Sequence, residues 1–390
     1  MKRDVSVMGL VLLLALASSA RAVGFSATDS LATARRLHAA VTLTTGKVLV
    51  VGGYNGSVLD SAESYDPVTG LWSTAGAFTG ARYWHALVAL ASGKALVIGG
   101  HGNTQFGALD SVDVYDSAQS VQNAWSPSGS LGTARFYFTA TVLPSGKVLV
   151  AGGVDSNGNA LNSSELYDPA LGQWTATTGS LGTARYLHTA TLLASGKVLV
   201  VGGNTGSGLL LKSAEVYDPV ADSWTATSNG LANARDHHAA TRLPSGKVLV
   251  TGGYGGQFDY NYAPLAGAEV YDPALNSWSS TSASSMTTAR QDHTATLLPI
   301  GLVLVAGGNN GSVLDSAELY DPVSNTWSDA GNLVTGRTDH TANLLPSGQV
   351  LIAGGASSAV NGGTALASAE LYTADRIFAD NFDGTQTKYP

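Results

Sequence analysis

The chain has 390 residues, no cysteine, 47 glycines and a charged fraction of only 12%. Without a thiol there are no disulfides, no zinc–thiolate or iron–sulfur centre and no cysteine nucleophile. The net charge of -8 comes without any basic run, which argues against nucleic acid or an anionic membrane as partner.

Lys2 and Arg3 open the chain, an apolar run from Val5 to Ala17 follows, and Ala20-Arg21-Ala22 offers the small-x-small pattern of a cleavage site. The run is short for a bilayer span. Residues 1–22 are therefore predicted to be a signal peptide, with an uncleaved anchor as the alternative. The mature chain is expected to be secreted, periplasmic or at the cell surface, without a membrane span.

Residues 23–374 repeat one pattern seven times. Gly-Gly pairs stand at 52–53, 99–100, 152–153, 202–203, 252–253, 307–308 and 354–355. Each ends a β-type run such as Lys47-Val-Leu-Val-Val51, preceded by a turn such as Pro144-Ser-Gly-Lys147 and by another strand such as His188-Thr-Ala-Thr-Leu-Leu193. A variable loop follows each Gly-Gly, then a strand closing on Tyr65, Tyr115, Tyr167, Tyr217, Tyr271, Tyr320 or Tyr372. Asp-Pro usually comes next, and Trp72, Trp125, Trp174, Trp224, Trp278 or Trp327 opens a fourth strand. Four short strands per period of about fifty residues, without helical periodicity, predict one β-propeller blade per repeat.

Gly-Gly, Tyr-Asp-Pro and Trp at this period resemble the kelch motif. The resemblance spans roughly residues 25–373 and implies an all-β fold, a seven-bladed propeller with four antiparallel strands per blade. Nothing after Tyr372 supplies a seventh tryptophan in register. Phe25 stands ten residues before Arg35, as Trp72 stands ten before Arg82. Phe25–Thr28 is thus expected to be the outer strand of blade seven, closing the ring and removing an open edge. The rival is Arg376-Ile-Phe378. Residues 375–390 otherwise read as an appendage, resembling a short terminal motif of exported proteins.

Antiparallel alternation puts the loops after strands two and four at one mouth of the propeller, where nearly all the variation lies. Seven arginines (Arg35, Arg82, Arg135, Arg185, Arg235, Arg290, Arg337) and seven acids (Glu63, Asp113, Glu165, Glu215, Glu269, Glu318, Glu370) recur once per blade. They predict a charge-assisted pair in each, against an arginine cluster that grips an acidic sugar. Histidines three residues after each arginine, with Phe138 in blade three, read as scaffold rather than as a metal ring.

What departs from the repeat follows the arginines. Blades two to four present Tyr83, Trp84, Phe136, Tyr137 and Tyr186; blades five to seven present Asp236, His237, Asp292 and Asp339. An aromatic wall facing an acidic one suits a neutral carbohydrate, which stacks an apolar ring face and donates hydroxyl hydrogen bonds. Packing between blades is the other reading. The loop of blade five adds Tyr254, Phe258 and Tyr260 as a lid or protein contact. Three aspartates would suit calcium if their carboxylates converged, but the spacing does not demand it.

No catalytic serine elbow, phosphate loop or His-Glu-x-x-His helix is present. The kelch resemblance extends to galactose oxidase, whose copper site needs a tyrosine cross-linked to cysteine and so cannot form here. Exported kelch epimerases (sialic acid mutarotases) offer another enzyme likeness, although those have six blades. The expected function is a non-catalytic, monomeric module that binds a carbohydrate or a surface protein at this mouth, without cofactor or metal. A sugar-processing enzyme using the acidic side and a purely structural surface module are the alternatives.

Overall fold

The computed structural model describes residues 23–103, 107–256, 262–280, 285–358 and 363–374. The predicted signal peptide and the segment from Asp375 lie outside these residues. Among the described residues, seven four-stranded antiparallel sheets follow one another along the chain. The first is typical, with strands Ala39–Thr42, Val48–Val51, Ser61–Asp66 and Leu71–Ala77. Among the described residues there is no α-helix, only a 3₁₀ turn at Val121–Asn123, and no helix long and apolar enough to cross a membrane.

The Val-Leu-Val-Val runs carry no alternation because both of their faces are buried. In the first sheet Leu49 and Val51 pack on Ala95 and Val97 of the second. Val48 and Val50, on the other face, pack on Leu351 and Ala353 of the seventh. The core is therefore a series of layers between consecutive sheets. The first strands neighbour one another in cyclic order, with Ala39–Thr42 beside both Ala86–Ala89 and Thr341–Leu344.

Tyrosine and tryptophan of each repeat are cross-strand partners. Tyr65 lies opposite Trp72 with ring centroids 5.1 Å apart, and Tyr217 opposite Trp224 at 5.1 Å. In the seventh sheet the strand Gly24–Ala27 runs along Ala369–Thr373, and Phe25 stands opposite Tyr372.

The Gly-Gly pair exists because two sheets meet over it. The N–H of Gly53 donates to the carbonyl of Arg82 in the next sheet at 2.9 Å, and the N–H of Gly355 to Arg35 at 2.9 Å. A Cβ on Gly52, at φ +60°, would come within 2.5 Å of that Arg82 oxygen, so only glycine allows the approach.

The fifth repeat carries an addition that its sequence did not announce. Ala234–Asp236, Tyr254–Gly256 and Ala263–Pro264 form a small three-stranded sheet. Elsewhere the same positions make only single bridges, such as Arg36 to Tyr54.

Candidate functional site

The repeating charges belong to the scaffold. Each of the seven arginines is fully buried. Arg35 donates to the carbonyls of Gly52 at 2.7 Å and Ser61 at 3.0 Å, and pairs with Glu63 at 2.9 Å. Glu63 in turn accepts the backbone N–H groups of Ala32 and Thr33, pinning the strap that leads into its own sheet. Arg82–Asp113, Arg135–Glu165, Arg185–Glu215, Arg235–Glu269, Arg290–Glu318 and Arg337–Glu370 repeat the pair at 2.5–3.0 Å. Guanidiniums so enclosed are out of reach of an acidic ligand.

The histidines are equally inward. His38, His188, His238 and His340 hydrogen-bond the threonine hydroxyls of the preceding sheet, Thr341, Thr139, Thr189 and Thr294, at 2.8–3.0 Å. Where that sheet carries Ala86 instead, the next one carries Phe138 rather than histidine. Where it carries Ala239, His293 bonds Thr251 at 2.9 Å, a threonine at a position that is aliphatic in the other six sheets. Burial first, and the neighbouring arginine charge second, hold His38, His85, His188 and His293 down to about 3. All are held neutral, and all but His85, whose ring nitrogens have no partner among the described residues, serve as hydrogen-bonding posts.

Two residues beyond each arginine the backbone turns left-handed in every repeat: Leu37, Trp84, Tyr137, Leu187, His237, Asp292 and Asp339 all have φ between 50° and 55°. Such a backbone is costly for non-glycine residues. It is sustained by hydrogen bonds that run from sheet to sheet. The N–H of Leu37 donates to Asp339, Trp84 to Leu37, Tyr137 to Trp84, Leu187 to Tyr137, and Asp292 to His237, at 3.1–3.4 Å. The result is a collar of seven side chains.

Residues one position earlier pair with the residue that follows Gly-Gly: Tyr83 with His101, Phe136 with Val154, Tyr186 with Asn204, Asp236 with Tyr254, and Gln291 with Asn309. This rung brings in Tyr54, Asn204 and Asn309, which the motif reading passed over. Their signal was their fixed place directly after each Gly-Gly.

On one side of the collar the rings form a continuous patch. Trp84 lies 4.2 Å from Tyr137, 4.4 Å from Tyr83 and 5.9 Å from Phe136, with which it stacks. His101 stands edge-on to Phe136 at 5.0 Å, and Tyr186 stacks on Tyr137 at 6.0 Å. Tyr54 extends the patch, 5.8 Å from Tyr83, with the Arg36 guanidinium 5.3 Å above its ring. All of these are half-buried.

The other side is polar and linked across four sheets. Asn204 donates to Asp236 at 3.5 Å, Asp236 holds His237 Nδ1 at 2.9 Å, and His237 Nε2 lies 3.9 Å from Asp292. Asn309 donates to Asp292 at 3.1 Å and to the Thr338 hydroxyl at 3.2 Å. Burial disfavours a charge on His237, but the Asp236 hydrogen bond and the charges of Asp292, Asp236 and Asp339 outweigh it and raise the imidazole to about 9. Burial, and then the charge of Asp292, lift Asp339 to about 6. Asp292 is raised by burial against the pull of His237. Tyr137 is pushed up by burial and then by Asp339 and Asp292, so the aromatic and acidic walls sense each other across the collar.

The nine predicted wall residues thus lie together on the collar and its adjoining rung. Tyr254 does not join the patch: it pairs with Asp236 through backbone, is 37% exposed and stands edge-on to Tyr262 at 6.2 Å. Phe258 and Tyr260 lie outside the described residues. No three His, Asp or Glu side chains converge as metal ligands among the described residues.

A family model described as the KLHDC2/KLHL20/DRC7 Kelch-repeats domain matches residues 37–253 and 147–355. The chain belongs to the kelch-repeat family. Among solved structures, this kelch chain is similar to a fungal alcohol oxidase of the AA5 family determined in complex with copper. That similarity has a TM-score of 0.71 at 19% identity and covers 90% of this chain and 77% of that one. At that identity the likeness concerns the fold. The residues of this kelch chain do not fit a copper centre built on a tyrosine cross-linked to cysteine, since it has no cysteine. No curated protein matches the chain.

Proposed function

We propose that the chain is an exported, non-catalytic seven-bladed propeller, closed by Gly24–Ala27 as the outer strand of the last blade, that binds a carbohydrate at the collar mouth. Residues 1–22 are its signal peptide, 23–374 its propeller and 375–390 an appendage, and it works as a monomer. The observation that carries the ligand reading is the half-buried ring patch around Trp84 facing the Asp236–His237–Asp292 chain. A pyranose stacks its C–H face on such rings and hands its hydroxyls to carboxylates and amides. The test is a glycan array on the purified chain followed by calorimetric titration. Saturable binding that Trp84→Ala weakens at least tenfold, with no product formed, supports the reading. Binding to a protein partner alone would replace carbohydrate with protein at the same mouth.

The second reading is an enzyme acting on sugars. It is favoured by the hydrogen-bonded Asp236–His237 pair, a group able to hold and pass a proton beside Asp292. Turnover abolished by Asp292→Asn or Asp339→Asn in a folded protein would select it over simple binding.

A further inference from the structure

Five sheets carry an ion pair at the foot opposite the mouth. It joins the lysine after the first turn to the aspartate ending the third strand: Lys47–Asp66, Lys94–Asp116, Lys147–Asp168, Lys197–Asp218 and Lys247–Asp272, at 2.9–3.3 Å. The seventh sheet exchanges both members together, and Gln349 donates to the Thr373 hydroxyl at 2.9 Å. The sixth exchanges only one. Leu302 stands in the lysine position, while Asp321 keeps a carboxylate that receives the Val323 N–H at 2.8 Å and the Ser324 hydroxyl at 2.7 Å. Asp321 has no cation beside it among the described residues.

The same exchange makes this foot apolar. Ile300 and Leu302 replace the serine and lysine of the usual Ser-Gly-Lys turn. With Pro244, Pro322 and Val323 they line a groove of about 310 Å³. Ala374, the last described residue, packs, as Ile300 and Leu302 do, against the cluster between the sixth and seventh sheets. The described chain therefore ends on the cluster that Ile300 and Leu302 also touch, one sheet on from the groove, and its next residues are Asp375-Arg376-Ile377-Phe378. Four extended residues reach ~13 Å, more than the ~10 Å between packed sheets.

We infer that the groove at the foot of the sixth sheet is the docking site of the chain's own segment 375–382. Arg376 supplies the cation missing beside Asp321, and Ile377 and Phe378 cover Ile300 and Leu302. An exposed guanidinium–carboxylate pair contributes little alone. Burial of the two apolar side chains provides most of the affinity, and the charge pair sets the register.

Because the chain has no cysteine, two introduced thiols report the contact without background. In the full chain, Ser245→Cys with Phe378→Cys is expected to form an intramolecular disulfide at least tenfold faster than Ser92→Cys with Phe378→Cys, whose partner lies at the equivalent turn of the second sheet. Asp321→Lys should slow the cross-link several-fold, and adding Arg376→Glu should restore it. Equal rates for the two thiol pairs, or no response to the charge exchange, would overturn the inference. A disulfide formed only between chains would also overturn it, by seating a second copy in the groove.

Discussion

Phe25 lies opposite Tyr372 with ring centroids 4.8 Å apart, which is the relation tryptophan holds to tyrosine in the other six sheets. The N-terminal strand thereby gives the seventh sheet its fourth member from the far end of the chain. Phe25→Ala removes the ring that anchors this strand and should cost about 2 kcal/mol, while Phe25→Trp should cost little. Chemical denaturation measures both. Loss of the strand alone, seen as rapid amide exchange at residues 24–27 with the remaining sheets protected, would accompany the first.

The buried pairs make a sharper demand. Glu215→Ala leaves the Arg185 guanidinium and the N–H groups of Gly182 and Thr183 without their acceptor. Breaking one partner of a buried pair costs about 3–5 kcal/mol. Thermal unfolding should show a large fall in Tm, whereas ligand binding by whatever remains folded should be unchanged.

The histidine posts can be tested one hydroxyl at a time. Thr251→Val should destabilise by about 1–3 kcal/mol, since it strands the His293 imidazole. His85 follows Ala39, where other sheets offer threonine, so Ala39→Thr should stabilise by about 1 kcal/mol. Both are read from denaturant midpoints.

Stability should also depend on pH in two separable ways. The buried imidazoles, held near 3 or well below the ordinary value of 6.5, bind protons only when the chain unfolds. They lower stability progressively as pH falls below about 6.5. His237 has the opposite sign. Its folded value of about 9 means that its contribution is complete below about 6.5 and is lost as pH rises through about 9. Asp339, raised to about 6, adds a smaller loss as it ionises. Unfolding titrations from pH 5 to pH 10 should give a maximum near neutrality. His237→Gln should flatten the alkaline side and leave the acid side unchanged.

The repeat, the strand content and even the likeness of Phe25 to a tryptophan were legible along the chain, because each sheet is built from one contiguous segment and one period. The wall residues from Tyr83 to Asp339 were legible too, as departures from that period. The partners of Asp292 and Trp84 were not. Asn309 and Tyr137 reach them through a left-handed collar bonded from sheet to sheet, and which walls face each other depends on how the sheets are arranged about an axis that no local pattern encodes. The histidine–threonine exchanges were hidden for the same reason, since each hydroxyl lies at least 42 residues from its imidazole. Sequence determined the unit; the stacking of units against one another decided which side chains meet.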